Sequence, residues 1–177
     1  MLASVLAFAL MQTQPAPPPQ QPPLPPPACT AAEHRQFDFW VGHWDVYPTG
    51  KDRLVAHSLI ENLYDGCVIR ENWIPLRGSG GSSLNSYFPD EKLWRQVWAD
   101  SSNGWGTFEG SFQNGAMILS GAWKNANGPG TSAFTRTTWS PNPDGSVRQH
   151  GEARSADGKS WSTTYDFTYR PSSAPKP

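Results

Sequence analysis

Charge is scarce in this chain. Only 16% of its 177 residues are Asp, Glu, Lys or Arg, and 14 basic against 15 acidic residues leave a formal net charge of −1. No basic surplus is available to hold a polyphosphate backbone or an anionic membrane surface, so nucleic acid is not an expected partner. Long apolar runs are also lacking. The block Leu2 to Met11, broken only by Ser4, is too short to cross a bilayer, and no stable membrane span is expected. The four histidines, His34, His43, His57 and His150, include no pair at a metal-ligand spacing such as H-x-x-x-H, so zinc is not expected. Helical periodicity is scarce after residue 41, which excludes a helical bundle. The Gly-rich stretch Gly78-Ser79-Gly80-Gly81-Ser82-Ser83 lacks the Lys and following helix of a phosphate cradle. It also lacks the G-x-S-x-G spacing of a nucleophile elbow, and is expected to be a flexible loop at the mouth of a pocket.

Cysteine is limited to Cys29 and Cys67. In an exported chain such a pair reads first as one disulfide, tying the N-terminal segment to the domain and worth about 4 kcal/mol in the chain-entropy account. A free buried Cys67 or a lipidated Cys29 are the alternatives, and Pro-Pro-Ala before Cys29 does not resemble a lipobox.

What the sequence does have is strongly zoned. Residues 1–14 carry the apolar block, of the right length for the h-region of a signal peptide. No Lys or Arg precedes that block, so its charged n-region is expected upstream of Met1. Residues 15–28 form a linker: nine of the thirteen residues from Pro15 to Pro27 are proline, which imposes a polyproline II rod of about 3.1 Å per residue. Residues 29–171 are one domain by length, and residues 172–177 a disordered tail. A secreted or periplasmic location is expected.

Nine Trp, eight Phe and five Tyr supply much of the apolar surface of that domain, and 16 Gly and 18 Pro mark frequent turns. Thr30-Ala31-Ala32-Glu33 reads as a capping box, and Phe37, Trp40 and Val41 put an apolar stripe on the short helix after it, expected to seal one end of the fold. Nine turn signals follow: Pro48-Thr49-Gly50, Asp65-Gly66, Gly78 to Ser83, Pro89-Asp90-Glu91, Ser102-Asn103-Gly104, Asn114-Gly115, Asn127-Gly128-Pro129-Gly130, Pro143-Asp144-Gly145 and Asp157-Gly158. They delimit ten strands, spaced as successive hairpins require and leaving no room for crossover helices. In the last strand Trp161, Thr163, Tyr165, Phe167 and Tyr169 share one face, expected to point inward. Glu71 and Trp73 oppose Arg70 and Asn72, and Trp94, Gln96, Trp98 and Asp100 oppose Leu93, Arg95, Val97 and Ala99, so polar residues occupy both faces. A dry core does not tolerate that pattern, whereas a barrel around a hydrated cavity does.

The stretches Glu33-His34-Arg35-Gln36-Phe37-Asp38-Phe39-Trp40-Val41-Gly42-His43-Trp44-Asp45-Val46, Asp65-Gly66-Cys67, Glu71-Asn72-Trp73, Leu93 to Asp100 and Asp144 to Gln149 together resemble a bacterial family of unknown function, mostly predicted to be exported, with a calycin-like (lipocalin-like) barrel. The resemblance covers most of residues 29 to 170. It implies an all-β, antiparallel up-and-down barrel of about ten strands with a short N-terminal helix, and no particular reaction. The wider resemblance is to lipocalins, fatty-acid-binding proteins and haem-binding nitrobindins. It implies that Trp44 of Gly42-His43-Trp44 packs at the closed end against Arg170 of the last strand, through a cation–π contact worth about 0.5 to 2 kcal/mol. Arg170 lies on the face opposite the aromatic row, so this pairing needs an irregular strand end.

Glu71, Trp73, Tyr87, Gln96, Trp98 and Arg136 are the expected cavity wall, with Trp faces for stacking and Gln, Glu and Arg for directional hydrogen bonds. Haem would need an axial histidine, and only His57 has apolar neighbours on its face, Val55, Leu59 and Leu63. Glu61, Glu71, Glu109 and Glu152 are the carboxylates from which a glycosidase-like pair would be drawn. The reading is an exported barrel that binds a small apolar or amphipathic molecule without transforming it, with no catalytic residues and no cofactor assigned. An envelope-associated interaction module with a filled barrel is the alternative, ahead of a haem barrel or an enzyme.

Overall fold

A computed structural model describes residues 29–126 and 128–173. The signal-like block, the whole of the proline linker, Asn127 and residues 174–177 lie outside the described residues. Ten strands follow in chain order: β1 (Gly42–Pro48), β2 (Ala56–Leu63), β3 (Val68–Pro75), β4 (Gly81–Phe88), β5 (Leu93–Asp100), β6 (Trp105–Gln113), β7 (Ala116–Lys124), β8 (Ser132–Pro141), β9 (Val147–Arg154) and β10 (Trp161–Pro171). Each pairs antiparallel with its sequence neighbours, and β1 also pairs with β10, so the sheet closes into an up-and-down barrel without edges. The expected breaks separate these strands, with one change at the Gly-rich stretch. Only Leu76 to Gly80 form the turn there, because Gly81, Ser82 and Ser83 pair with Asp100, Ala99 and Trp98 as the start of β4.

Period-two alternation sends one side of every strand inward. Glu71, Ser83, Trp98 and Gly106 are successive register partners across β3 to β6 and form one inward row. Strand β10 departs from simple alternation. Its register with β9 shifts between Thr163 and Tyr165, a bulge at Thr164 that reverses which side faces in. Tyr165, Phe167 and Tyr169 are therefore inside, while Trp161 packs on exposed Phe134 and Thr163 bonds outer-face His150. The expected five-residue inward row is thus a three-residue one.

One end of the barrel is sealed by the segment before β1. It forms two short 3-10 turns, Ala32–Arg35 and Asp38–Trp40, rather than one capped helix; the N-cap position of the first is Ala31, and no side chain caps it. The seal works by ring packing. Phe37 stacks on Trp40 at 4.9 Å and meets Trp94 and Trp139 edge-on, and both plug residues are fully buried. Trp44 donates Nε1–H to the Trp40 carbonyl at 2.9 Å, which locks β1 to the plug. A Cβ on Gly42, two residues earlier on the same side, would sit 3.3 Å from the Trp44 indole, so glycine leaves that ring room to lie along the strand.

Cys29 and Cys67 are bonded, joining the start of the described chain to the β2–β3 turn across 38 residues. Arg35 donates to the Gly66 carbonyl beside this bridge. At the other terminus Ser172 N–H still donates to the His43 carbonyl at 2.9 Å, so backbone pairing continues one residue past β10 into the expected tail. Among the described residues no helix is long and apolar enough to cross a membrane.

Candidate functional site

The end opposite the plug is ringed by the β1–β2, β3–β4, β5–β6, β7–β8 and β9–β10 turns, and beneath them lies a cavity of about 260 Å³. Eight of its fourteen lining residues are aromatic. One wall is Trp73, Phe167 and Tyr165, with Trp73 and Phe167 ring centres 5.6 Å apart and Tyr165 stacked on Phe167 at 5.6 Å. The facing wall is Trp98, Trp123 and Phe108, in edge-on contact through Trp123. Glycines let these rings lie flat: an added Cβ would meet Trp98 at Gly81, Phe108 at Gly106 and Tyr165 at Gly151, all within 2.5 Å. A ring resting on a glycine occupies the wall rather than the centre, which keeps the lumen open despite so much aromatic volume.

The floor is polar. Glu71 is 3% exposed, and its Oε1 accepts from Ser58 Oγ at 3.1 Å and from Tyr169 OH at 3.2 Å. Tyr169 OH also donates to Gln149 Oε1 at 2.6 Å. One hydroxyl proton serves one acceptor at a time and the Gln149 contact is the shorter, so Glu71 receives little compensation from it. Burial dominates and pushes the Glu71 carboxyl from 4.5 up to about 7, against hydrogen bonds from Ser58, Tyr169 and Ser83. Burial likewise pushes the Tyr165 hydroxyl up to about 12, and that of Tyr169 goes up through burial and the nearby Glu71. Asp100 at the mouth behaves in the opposite way. Burial opposes its charge, but hydrogen bonds from Ser102, Trp98 Nε1 and the Gly104 N–H outweigh that and hold it below the usual carboxylate value.

Two indole N–H groups in the lining, those of Trp123 and Trp139, are buried without a hydrogen-bond partner. A buried orphan donor is costly, so both positions call for an acceptor supplied by water or by a bound molecule.

Four of the six expected wall residues, Glu71, Trp73, Gln96 and Trp98, line this cavity. Tyr87 does not. It points inward at the sealed end, where His34 meets its ring edge-on at 5.3 Å and Trp94 lies beyond. Arg136 is on the outer face, stacked 4.4 Å over Trp161 and bonded to Glu152, because its register places Thr135 and Thr137 inside instead. Arg170 does not reach Trp44 either. Its guanidinium bonds Asp52 and lies 4.4 Å over Tyr47, on the outer face that strand alternation assigned it. The closure of this barrel is therefore Trp44 on Trp40 and Tyr169, with no arginine in it.

None of the four histidines lines the cavity; His57 faces out and bonds Asp45 at 2.8 Å. Of the four glutamates from which a catalytic pair would be drawn, only Glu71 is inside. Glu61, Glu109 and Glu152 face arginines on the outer surface. Among the described residues no cluster of His, Cys, Asp and Glu is suited to a metal ion.

The lining residues missed from sequence include Trp123, Trp139 and Gln149. A signal existed for the first: Met117, Leu119, Gly121 and Trp123 form a period-two row as regular as that of β10. Ser79, at the expected pocket mouth, does line the cavity.

The fold and cavity together define a closed antiparallel barrel whose buried interior is compatible with ligand binding. No protein-family model matches the chain, and comparison with curated proteins finds no match. The functional reading therefore rests on the geometry of the barrel.

Proposed function

We propose that this chain is an exported container that binds a small apolar or amphipathic molecule in the barrel and releases it unchanged; the resemblance to exported lipocalin-like barrels supports the compartment and the barrel. One observation carries the reading: an aromatic cavity of about 260 Å³ with a polar floor, open at one end and sealed by Phe37 and Trp40 at the other. That volume lies just under the range of drug-sized sites, which suits a compact ligand. A bonded cysteine pair supports an oxidising compartment.

Native mass spectrometry of the protein from its own host compartment, read against the denatured mass, tests the proposal. A displaceable small-molecule adduct supports it. A bare polypeptide mass, together with failure of apolar fluorophores to enter the barrel, overturns it.

The alternative, an envelope-associated interaction module, draws on a different surface. Leu84 and Phe134 are nearly half exposed and border an outer groove across β4 to β8 with Phe88 and Val97. A polypeptide partner retained in the same spectra would favour that reading.

A further inference from the structure

Outside the barrel, five arginines are matched with carboxylates. Arg70 pairs with Glu61, Arg95 with Glu91, Arg136 with Glu152, Arg148 with Asp166 and Arg170 with Asp52. Inside, the matching fails. The lining holds Glu71 and Asp100 but no Lys, Arg or His. Asp100 is satisfied by the β5–β6 turn and Trp98, whereas Glu71 has only neutral hydroxyls around it. A buried carboxylate without a countercharge is normally replaced or paired, and one kept at a cavity floor marks a place where the countercharge arrives with a ligand. The rings of Trp73, Phe167 and Tyr169 line the same cavity, with Trp73 to Tyr169 ring centres 6.3 Å apart. Aromatic faces carry negative potential and attract cations most strongly where water is excluded.

Resting on the container reading, we infer that the ligand is a small organic cation, an ammonium bearing alkyl or aromatic groups. Its charge lies against Glu71 and the Trp73 wall, and its apolar body lies against Trp98, Trp123 and Phe108. An anion is disfavoured by both carboxylates, and a purely apolar molecule leaves Glu71 uncompensated. An acceptor atom on the same ligand would serve the free N–H of Trp139 or Trp123.

The ionisation of Glu71 gives this site a pH signature. The titratable groups facing it are Tyr165 and Tyr169 from β10 and, nearer the mouth, Asp100 from β5; Ser58, Ser83 and Gln149 complete its surroundings. Both tyrosines stay neutral and Asp100 stays charged across the neutral range, so Glu71 alone changes there. A cation favours the ionised form of Glu71 and displaces its proton, so affinity rises with pH through about 7 and then levels.

The test is competition with 1-aminoanthracene, a neutral fluorophore, on the intact chain. The probes are phenyltrimethylammonium, whose charge is independent of pH, its neutral isostere tert-butylbenzene, and 4-tert-butylbenzoate as the anion. The cation is expected to bind about tenfold tighter than its isostere at about pH 8, and to lose about tenfold by about pH 6. Glu71→Gln is expected to abolish the preference while the fluorophore and tert-butylbenzene still bind; if that variant does not fold, the pH series on the unaltered protein decides. Equal or tighter binding of the isostere, or a cation affinity flat with pH, overturns the inference while fluorophore binding keeps the container. Failure of the fluorophore and every probe to bind overturns both.

Discussion

Replacing Glu71 by glutamine separates the charge of this residue from its shape. A carboxyl with a value of 4.5 when unfolded and about 7 when buried favours its neutral form in the native barrel. The gap corresponds to about 3 kcal/mol between the two protonation states. Below about pH 4.5 the group is protonated in both states and contributes nothing to the pH dependence. As pH rises, the unfolded chain releases its proton while the barrel still holds one, and stability falls. Above about 7 the whole cost of the buried charge is present. Glutamine never ionises, so the stability of Glu71→Gln relative to the unaltered chain should climb by about 3 kcal/mol between about pH 4.5 and about pH 8. In melting temperature that is about 6 to 12 °C for a chain of this size. Asp100, Asp144, Asp157 and Asp166 are all held below the usual carboxylate range, so their contributions appear at acid pH, outside this window, and cancel between the proteins. Urea titrations of both proteins across that pH range, monitored by far-ultraviolet circular dichroism, give the difference directly. A difference flat within about 0.5 kcal/mol would refute the claim that desolvation governs this site. A slope of opposite sign would show that the native barrel prefers Glu71 charged.

Further outcomes follow from the same contacts. Trp44→Ala should cost about 3 to 5 kcal/mol by emptying a buried site and freeing the Trp40 carbonyl, whereas Arg170→Ala, which loses exposed contacts to Asp52 and Tyr47, should cost under about 1 kcal/mol; denaturant midpoints compare them. Removing the Cys29–Cys67 bridge by Cys67→Ala should lower stability by about 4 kcal/mol for the 38-residue separation, and the unaltered protein should show no free thiol under non-reducing denaturation. Gly151→Ala should push the Tyr165 ring off the wall and weaken fluorophore binding, with the circular dichroism of the barrel retained; unchanged affinity would show that the ring has another place to go. Trp98→Ala should widen the mouth and weaken binding of aromatic probes without unfolding the chain, and loss of fold together with binding would instead assign Trp98 a packing role.

The barrel has room for a ligand because of its strand number and its glycines. Ten strands enclose more cross-section than the side chains of a small eight-stranded barrel need to fill. The bulky residues are sorted along the axis: Phe37, Trp40, Trp94 and Trp139 crowd the sealed end, while Gly81, Gly106 and Gly151 thin the wall where the cavity lies. Polar groups at the floor are mostly bonded to one another, as in Gln96 to Asn85 and Tyr165 to Thr137, so the site is largely preorganised before any ligand enters.

Much of the architecture was legible along the chain because it depends on local rules. Turn residues punctuate the strands, period-two alternation assigns faces, and Gly42-His43-Trp44 marks the start of the first strand; these sufficed for a ten-strand closed meander, a sealed end and an inward Glu71 and Trp98. The errors fall where one local feature or a distant partner decides. A single bulge at Thr164 inverted the first half of β10. Residue type points Arg136 and Tyr87 at the cavity, but register sends Arg136 outside to Trp161 and axial position puts Tyr87 beneath the plug. Arg170 obeyed its strand's alternation rather than the closure implied by resemblance. The sequence by itself determined the number and order of the strands and the inward faces of those without a bulge or misassigned register, since these follow from turn chemistry and side-chain period. Only the tertiary structure decided that Glu71 stands buried among hydroxyls without a countercharge, because Ser58, Ser83 and Tyr169 reach it from three other strands and no spacing along the chain encodes that meeting.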